Sequence, residues 1–169
     1  MDPSLETPRL LLTPLTLGDV GTLRALMIDP DVRRWAAEGR VLSEARVRYL
    51  TLRSLATFQR HGTGAFGLRL RAGGAFVGYA GLLPAHAPEG GLELGAGIWP
   101  RYWRSGLASE ACRAVLDDAF GRLGLARALA CADAPNFRSL ALIARLGFRQ
   151  IRTAPGTFGA IRWFVRERP

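Results

Sequence analysis

Apolar residues in the first third of the chain follow the spacing of a strand and then that of helices. Residues 9–15 form a short apolar run with a proline near its end, which predicts a first strand. Residues 16–29 combine a capping pair with apolar positions three and four apart, and residues 43–62 carry a longer apolar stripe that ends at a glycine. This part of the chain therefore predicts one strand followed by two helices.

In the next part of the chain the apolar period changes to two. Residues 65–71 and 75–83 alternate on either side of an Ala-Gly-Gly turn, which predicts a β-hairpin. A third strand, residues 92–99, ends before a proline. Its two interior glycines, Gly95 and Gly97, predict a bulge or a place where another group approaches the backbone closely.

The remaining segments alternate between the two periods. They predict a helix, a strand, a helix capped by an asparagine and two final strands, over residues 107–122, 127–132, 136–146, 148–152 and 161–165. The order β-α-α-β-β-β-α-β-α-β-β predicts an α+β (mixed α/β) fold with a central, mostly antiparallel twisted sheet of about seven strands flanked by four helices. The length favours a single domain over residues 1–169.

Composition narrows the classes of function. The chain has 169 residues and a net charge of +9, with 23 basic side chains that are all arginine and 14 acidic ones. The absence of lysine is typical of a GC-rich genome and excludes a mixed Lys/Arg arm, so nucleic acid is disfavoured as a partner. The acidic first residues and the lack of an apolar run of about 18 residues predict a cytoplasmic protein with no membrane partner.

Cysteines and histidines do not have the spacing of metal or disulfide sites. Cys112 and Cys131 are too far apart for a Cys-x-x-Cys unit and are expected in the core. His61 and His86 lie in turns without a second ligand at metal-binding spacing. We therefore expect no metal.

The most informative segment is a strand, a glycine-containing turn and a helix start, at residues 98–109. The N-terminus of a helix exposes unpaired N–H groups and a partial positive charge. Gly106 allows a positive φ and a close ligand, while Ser105 and Ser109 offer hydroxyl donors. Because residues 99–152 hold nine arginines against four acids, we expect a polyanionic small molecule here.

Several motifs occur in order around this segment. Trp103-Arg-Ser-Gly-Leu-Ala108 has the form (Gln or Arg)-x-x-Gly-x-(Gly or Ala) except at its first position, and Asn136-x-x-Ser139 and Leu146-Gly-Phe148 follow it. The chain also opens with Thr7-x-Arg-Leu10. These motifs resemble the GNAT superfamily of N-acetyltransferases, and the run of residues 93–111 is similar to its Rim-type branch of ribosomal-protein N-acetyltransferases, where a tryptophan at the first position is usual.

The resemblance implies the GNAT fold, acetyl-CoA as co-substrate, and direct transfer of its acetyl group to a primary amine in a ternary complex. The acceptor would be a small molecule or a protein N-terminal α-amine. By this analogy backbone N–H groups of residues 104–109 hold the pyrophosphate, and the pantetheine arm lies along the strand that ends at residues 98 and 99. The cofactor-binding residues so implied are Ile98, Trp99, Trp103, Arg104, Ser105, Gly106, Leu107, Ala108, Ser109 and Asn136.

Catalytic roles are implied for two side chains. Glu93, on the strand that enters the site, is the candidate general base, with an ordinary solvent-facing carboxylate as the alternative. Ile143 stands where many family members carry a tyrosine proposed as general acid, so Ser139 is the candidate to assist the leaving thiolate. Asn136 either donates to the pantetheine or only caps its helix. The oxyanion donor is expected to be a backbone N–H at residue 98 or 99.

The missing tyrosine leaves an alternative function open, a non-catalytic CoA-binding or regulatory module. Acceptor specificity is expected to depend on residues 29–43 and 84–91, where no specific motif occurs. The identity of the acceptor and the oligomeric state, with a homodimer among the alternatives, stay open.

Overall fold

The structure is a computed structural model that describes residues 3–88 and 90–169. Within them the chain forms one sheet with the strand order β1-β2-β3-β4-β5-β6-β8-β7. Neighbouring strands are antiparallel except β5 and β6, which are parallel. The strands are β1 (Leu5–Glu6), β2 (Leu10–Pro14), β3 (Ala65–Leu70), β4 (Phe76–Pro84), β5 (Leu92–Ile98), β6 (Arg127–Asp133), β7 (Arg149–Gly156) and β8 (Gly159–Glu167).

The predicted fold class is confirmed, and the sheet has eight strands in place of about seven. The additional strand, β1, has only two residues and leaves no periodic signal in the sequence. The last two strands are longer than predicted, because their turn takes up only residues 157 and 158. None of the helices in the described ranges combines the length and the apolar character needed to cross a lipid bilayer.

The described residues form five α-helices in place of the predicted four: α1 (Val20–Ile28), α2 (Pro30–Ala36), α3 (Glu44–His61), α4 (Leu107–Gly121) and α5 (Phe137–Arg145). The prediction misses α2. Pro30 ends α1, but it is also the first residue of α2, where its missing N–H costs nothing. The Asp29 carboxylate caps α2 by accepting the N–H groups of Asp31 and Val32. The proline therefore separates two helices.

The helices divide the core between the two faces of the sheet. α4 and α5 cover one face, in a buried cluster that includes Leu92 and Leu94 of β5. α1 and α3 cover the other face, where Leu23 and Val47 pack with Tyr79 of β4. Because successive side chains of a strand alternate between faces, the side chain of Glu93 points to the face that α1 and α3 cover.

The two interior glycines of β5 have different surroundings. β5 pairs with β4 without a shift in register, so the predicted bulge is wrong, and an irregularity lies instead between β3 and β4 after Leu68. The predicted close approach is confirmed for Gly97, where a Cβ atom would lie 2.4 Å from Cε1 of Tyr79. Over Gly95 a Cβ atom would meet nothing within 4 Å. The strand is thus closely covered at one glycine and open at the other.

Candidate functional site

A gap opens in the sheet between β5 and β6. The two strands share one registered pair among the described residues, Glu93 with Leu129, whereas β4 and β5 share seven. Beyond this pair no registered pair joins the described residues of the two strands, from Leu94 to Ile98 on β5 and from Ala130 to Asp133 on β6. Because the two strands are parallel, their carboxyl ends lie at the same edge of the sheet and border this gap.

Backbone groups of β5 face this gap. The N–H of Trp99 donates to the carbonyl of Val77 on β4 at 3.0 Å. Since successive N–H groups of a strand point to opposite sides, the N–H groups of Gly97 and Trp99 face β4 and those of Ala96 and Ile98 face the gap. Within residues 3–88 and 90–169 no strand pairs with these last two donors, so they can bind oxygen atoms of a ligand. Trp99 is excluded as an oxyanion donor, and Ile98 stays available.

The turn after β5 contains two residues in the left-handed conformation. Arg104 has a φ of 63°, and Gly106, the N-cap of α4, has a φ of 81°. Among the described residues the N–H groups of Gly106, Ala108 and Ser109 have no protein acceptor and lie at the positive end of the helix dipole, whereas the N–H of Leu107 donates to the Ser105 hydroxyl at 3.5 Å. The Ser105 hydroxyl donates to the carbonyl of Tyr102 at 2.5 Å, so its proton stabilises the turn. The prediction that this hydroxyl donates to a ligand is therefore not supported.

Trp103 joins the end of β5 to this turn. Its indole N–H donates to the carbonyl of Ile98 at 2.8 Å, and the Arg138 guanidinium of α5 lies 4.1 Å from the ring centroid. Arg101 lies 5.1 Å from the ring centroid of Trp99. Stacked guanidinium groups thus place positive charge beside the turn. Arg138 is a residue that the sequence analysis missed, because stacking across 35 positions leaves no motif.

Only part of the arginine excess of residues 99–152 lies at the turn. Arg122 pairs with Asp118 at the C-terminal end of α4, which at 1.5 Å per residue is about 22 Å from the N-terminus of that helix. Arg149 pairs with Glu167 on the last strand. Fewer of these arginines therefore lie near the turn than their positions in the sequence suggest.

Asn136 and Ser139 lie at the start of α5. The Oδ1 atom of Asn136 accepts the N–H of Ser139 at 3.2 Å, which is the predicted helix cap. The Asn136 side chain is buried, and within the described part of the chain its amide nitrogen has no protein acceptor. One end of the amide thus caps the helix while the other end is available to a ligand.

Glu93 and Ser139 approach the gap from opposite faces of the sheet. Glu93 points to the face of α1 and α3, whereas α5 packs on the face of α4 through Ile143 and its neighbours. The two residues proposed for proton transfer are therefore not brought together. Ile143, which stands in place of the tyrosine, is buried in the core.

The Glu93 carboxylate has partners on both oxygens. Oε1 accepts the thiol proton of Cys131 at 3.0 Å, and Oε2 accepts the backbone N–H of His86 at 3.4 Å. The side chain is 16% exposed, so the alternative of an ordinary solvent-facing carboxylate is not supported. Burial, together with the charge of Glu93, raises the pKa of the Cys131 thiol, which keeps its proton and remains a donor.

Tyr79 is a second residue that the sequence analysis missed. Its ring lies across Gly97, and Cε1 and Cζ are the atoms nearest to where a Cβ would stand, at 2.4 and 3.0 Å. Burial raises the pKa of the phenol to about 12, so it is neutral across the ordinary range of pH. The phenol therefore leans from β4 over β5, on the same face as Glu93. A tyrosine paired with a glycine in the neighbouring strand becomes visible only when the register is known.

α2 and the β7–β8 turn lie on the Glu93 side of the gap. Trp35 of α2 contacts Phe158 of that turn edge to face, with ring centroids 5.5 Å apart. Burial raises the pKa of Asp133, the last residue of β6, and the negative charge of Glu38 raises it further. This border includes part of the segment 29–43 that is predicted to determine acceptor specificity.

Metal ligands are not grouped in the described residues. Across residues 3–88 and 90–169 no three His, Cys, Asp or Glu side chains are arranged to hold a metal ion. Cys112 and Cys131 are both free thiols, Cys112 in the core and Cys131 half-buried beside Glu93.

Comparison with known proteins points to one family. Residues 9–149 match the family described as the acetyltransferase (GNAT) domain. The chain is 28% identical over 150 residues to the uncharacterised N-acetyltransferase YoaA of Bacillus subtilis, an alignment that covers 89% of this chain and 85% of YoaA. It is 31% identical over 161 residues to the FsC-acetyl coenzyme A-N(2)-transacetylase of Aspergillus fumigatus, covering 89% and 67% of the two chains.

A solved structure of a Rim-type enzyme has the same fold. It is RimL, a ribosomal L7/L12 α-N-protein acetyltransferase in complex with coenzyme A, and it superposes with a TM-score of 0.80 at 14% identity over 95% of each chain. The family match and the named relatives confirm the resemblance that the motifs indicate, and with it an acetyl-CoA-dependent enzyme. This chain belongs to the GNAT family of N-acetyltransferases.

Proposed function

We propose that this enzyme joins acetyl-CoA and an acceptor amine in the gap between β5 and β6 and transfers the acetyl group by direct attack. The observation that carries the proposal is the single β5–β6 pair beside a helix N-terminus capped by a left-handed glycine. A gap in a sheet is open to both faces, so two reactants can enter from opposite sides and meet inside it. Holding them there replaces an encounter in solution with a positioned one.

Acetyl-CoA enters on the face of α4 and α5. The free N–H groups among residues 104–109 bind its diphosphate, and that of Ala96 binds its pantetheine arm. The free amide nitrogen of Asn136 donates to the same arm from the β6 side of the gap. Trp103 has a positioning role, because its indole holds the end of β5 and its ring carries the Arg138 guanidinium.

The acceptor amine enters on the face of Glu93. Its nitrogen attacks the thioester carbon, the carbon–sulfur bond breaks, and CoA leaves as the thiolate. Before the attack Glu93 takes one proton from the ammonium, directly or through a water molecule. After the attack a second proton of the nitrogen passes to the leaving thiolate, so that the products are the neutral amide and the CoA thiol. The N–H of Ile98 donates to the oxyanion that forms. The half-buried Ser139 hydroxyl, on the cofactor side, remains the candidate to assist the thiolate.

A primary amine is the proposed acceptor, either a protein N-terminal α-amine or a small molecule. The likeness to RimL supports the first, since RimL acts on a protein α-amine by its name. The carboxylates of Glu38 and Asp133 on the Glu93 side favour an acceptor that arrives as a cation, which both classes do at neutral pH.

Calorimetry with CoA and the variant Gly106→Asp tests the site. Aspartate places a negative charge where the diphosphate is expected, so we predict that the dissociation constant rises at least about tenfold. Gly73→Asp is the matched control, because Gly73 is also left-handed, with a φ of 82°, and lies in the hairpin turn away from the gap. An unchanged dissociation constant for CoA in Gly106→Asp would contradict the proposed cofactor site.

A further inference from the structure

A cluster of hydrogen bonds ties the first residues of the chain to α4. Oε1 of Glu110 accepts the Thr7 hydroxyl at 2.6 Å and the backbone N–H of Arg9 at 2.9 Å. Oε2 of Glu110 accepts Nε and Nη2 of Arg9, each at 2.7 Å. The remaining guanidinium nitrogen of Arg9, Nη1, donates to the carbonyl of Ser105 at 2.8 Å. We refer to Thr7, Arg9 and Glu110 as the N-terminal latch.

The latch is charged under ordinary conditions. Burial alone would raise the pKa of Glu110, but the hydrogen bonds from Thr7 and Arg9 and the positive charge of Arg9 outweigh burial and leave this pKa below its usual range. Nε and Nη2 of Arg9 both contact Oε2 of Glu110, and Nη1 donates to the Ser105 carbonyl, so all three guanidinium nitrogens are engaged. The arginine side chain is therefore held in one position, with Nη1 aimed at the turn.

The carbonyl that Arg9 holds lies at the strained point of the turn. Ser105 stands between Arg104 and Gly106, the two left-handed residues. A left-handed conformation is unfavourable for a residue other than glycine and persists only where its surroundings enforce it. The turn has no sheet or helix pairing of its own at Ser105, so the contact from Arg9 is part of what enforces it.

Holding this carbonyl fixes the direction of the next N–H. In a trans peptide the C=O of Ser105 and the N–H of Gly106 point in opposite directions. Arg9 lies directly before β2, which is three strands from β5 on the side away from β6. The carbonyl therefore points away from the gap, and the Gly106 N–H, which has no protein acceptor within the described residues, points toward it. A flipped peptide would turn an oxygen toward the diphosphate.

We propose that Thr7, Arg9 and Glu110 are positioning residues for the diphosphate of acetyl-CoA. The latch keeps the Ser105–Gly106 peptide in the orientation that donates to the ligand, so the start of the chain contributes to cofactor affinity without touching the cofactor. This inference rests on the proposed function, since it requires that the turn bind the diphosphate.

The variant Arg9→Gln tests the latch. We expect the KM for acetyl-CoA and the dissociation constant of CoA to rise about tenfold, because a charged hydrogen-bond network is lost, while kcat at saturation changes little. S-acetylpantetheine, a donor without the diphosphate, should keep its KM. Arg9→Lys retains the charge but cannot contact Glu110 and Ser105 at once, so it should resemble Arg9→Gln.

Arg122→Gln is the matched control. Arg122 pairs with Asp118 at 2.6 Å on the same helix and also donates to the carbonyl of a left-handed glycine, Gly62, but it lies at the other end of α4. Arg122→Gln should leave the KM for acetyl-CoA and the KM for S-acetylpantetheine unchanged. Should Arg9→Gln fail to fold, Thr7→Val is measured in the same way, since it removes the hydrogen bond to Glu110 together with the local bonds to the backbone of Leu10 and leaves Arg9 in place.

Two results would overturn the proposed positioning role of the N-terminal latch. One is unchanged CoA affinity in a folded latch variant, and the other is an equal loss with acetyl-CoA and S-acetylpantetheine, which indicates general destabilisation. Wild-type protein that binds no CoA would instead overturn the proposed function, so the two failures are distinguishable.

Discussion

The Glu93 carboxylate is shared between the proposed chemistry and the packing of a loop. It accepts from the backbone of His86 in the loop after β4 and from the thiol of Cys131 on β6. A base that is already held by two donors is fixed in orientation, which favours proton transfer along one direction. The same contacts mean that a substitution could act by loosening the loop, and the two effects need separate measurements.

Glu93→Gln keeps the shape of the side chain and removes its basicity. We expect kcat to fall about a hundredfold, as is typical for loss of a general base, with CoA affinity unchanged. Cys131→Ala removes one donor to Glu93 and leaves the carboxylate, so it serves as the control and should keep kcat within about threefold. Equal losses in the two variants would assign Glu93 to the packing of the loop, and unchanged turnover in Glu93→Gln would remove it as the base.

At the scale of elements, the gap depends on what borders it on the β6 side. β6 ends at Asp133, and three residues later Asn136 caps α5, which begins at Phe137. The Asn136 amide belongs to both structure and site, because its oxygen caps α5 and its nitrogen is free. The two roles that the sequence leaves open are therefore compatible in this fold.

Substitutions of Asn136 separate these roles. Asn136→Ser keeps an oxygen for the cap but is too short to donate across the gap, so we expect unchanged stability and a KM for acetyl-CoA about fivefold higher. Asn136→Ala loses both functions and should also lower the free energy of unfolding by about 1 kcal/mol. Thermal denaturation and steady-state kinetics measure the two effects. A wild-type KM in Asn136→Ser would leave the residue with the cap alone.

At the scale of the whole molecule, the net charge of +9 attracts an anionic co-substrate before any contact forms. Part of this charge lies close to the turn, on Arg101, Arg104 and Arg138, while Arg122 and Arg149 are paired with carboxylates elsewhere. The field at the gap is therefore the sum of near and distant groups. Salt should weaken the distant contributions first.

The dependence of KM on salt tests this contribution. Raising the NaCl concentration from about 0.02 M to about 0.5 M should increase the KM for acetyl-CoA several-fold, because the screening length falls from about 20 Å to about 4 Å. S-acetylpantetheine carries no phosphate and should show no such increase. Parallel changes for the two donors would mean that salt acts on the protein or on the acceptor.

Sequence alone determined the features whose signal is local. The hairpin of β3 and β4, the helices α3 and α4, the cap at Asn136 and the left-handed Gly106 follow from periodicity, capping residues and a glycine before a helix. The turn between β5 and α4 was identified from the same short-range pattern together with its family motif. α2 was missed because Pro30 is compatible with both the end of one helix and the start of another.

Only the tertiary structure decided which distant residues meet. The gap exists because β5 and β6 pair at a single position. The sequence of neither strand by itself indicates where this pairing stops. Arg9 and Glu110 are 101 positions apart, and Tyr79 meets Gly97 through a register that depends on the whole hairpin. Such contacts depend on the packing of complete elements, so local sequence can name the residues that carry the chemistry but not the partners that position them.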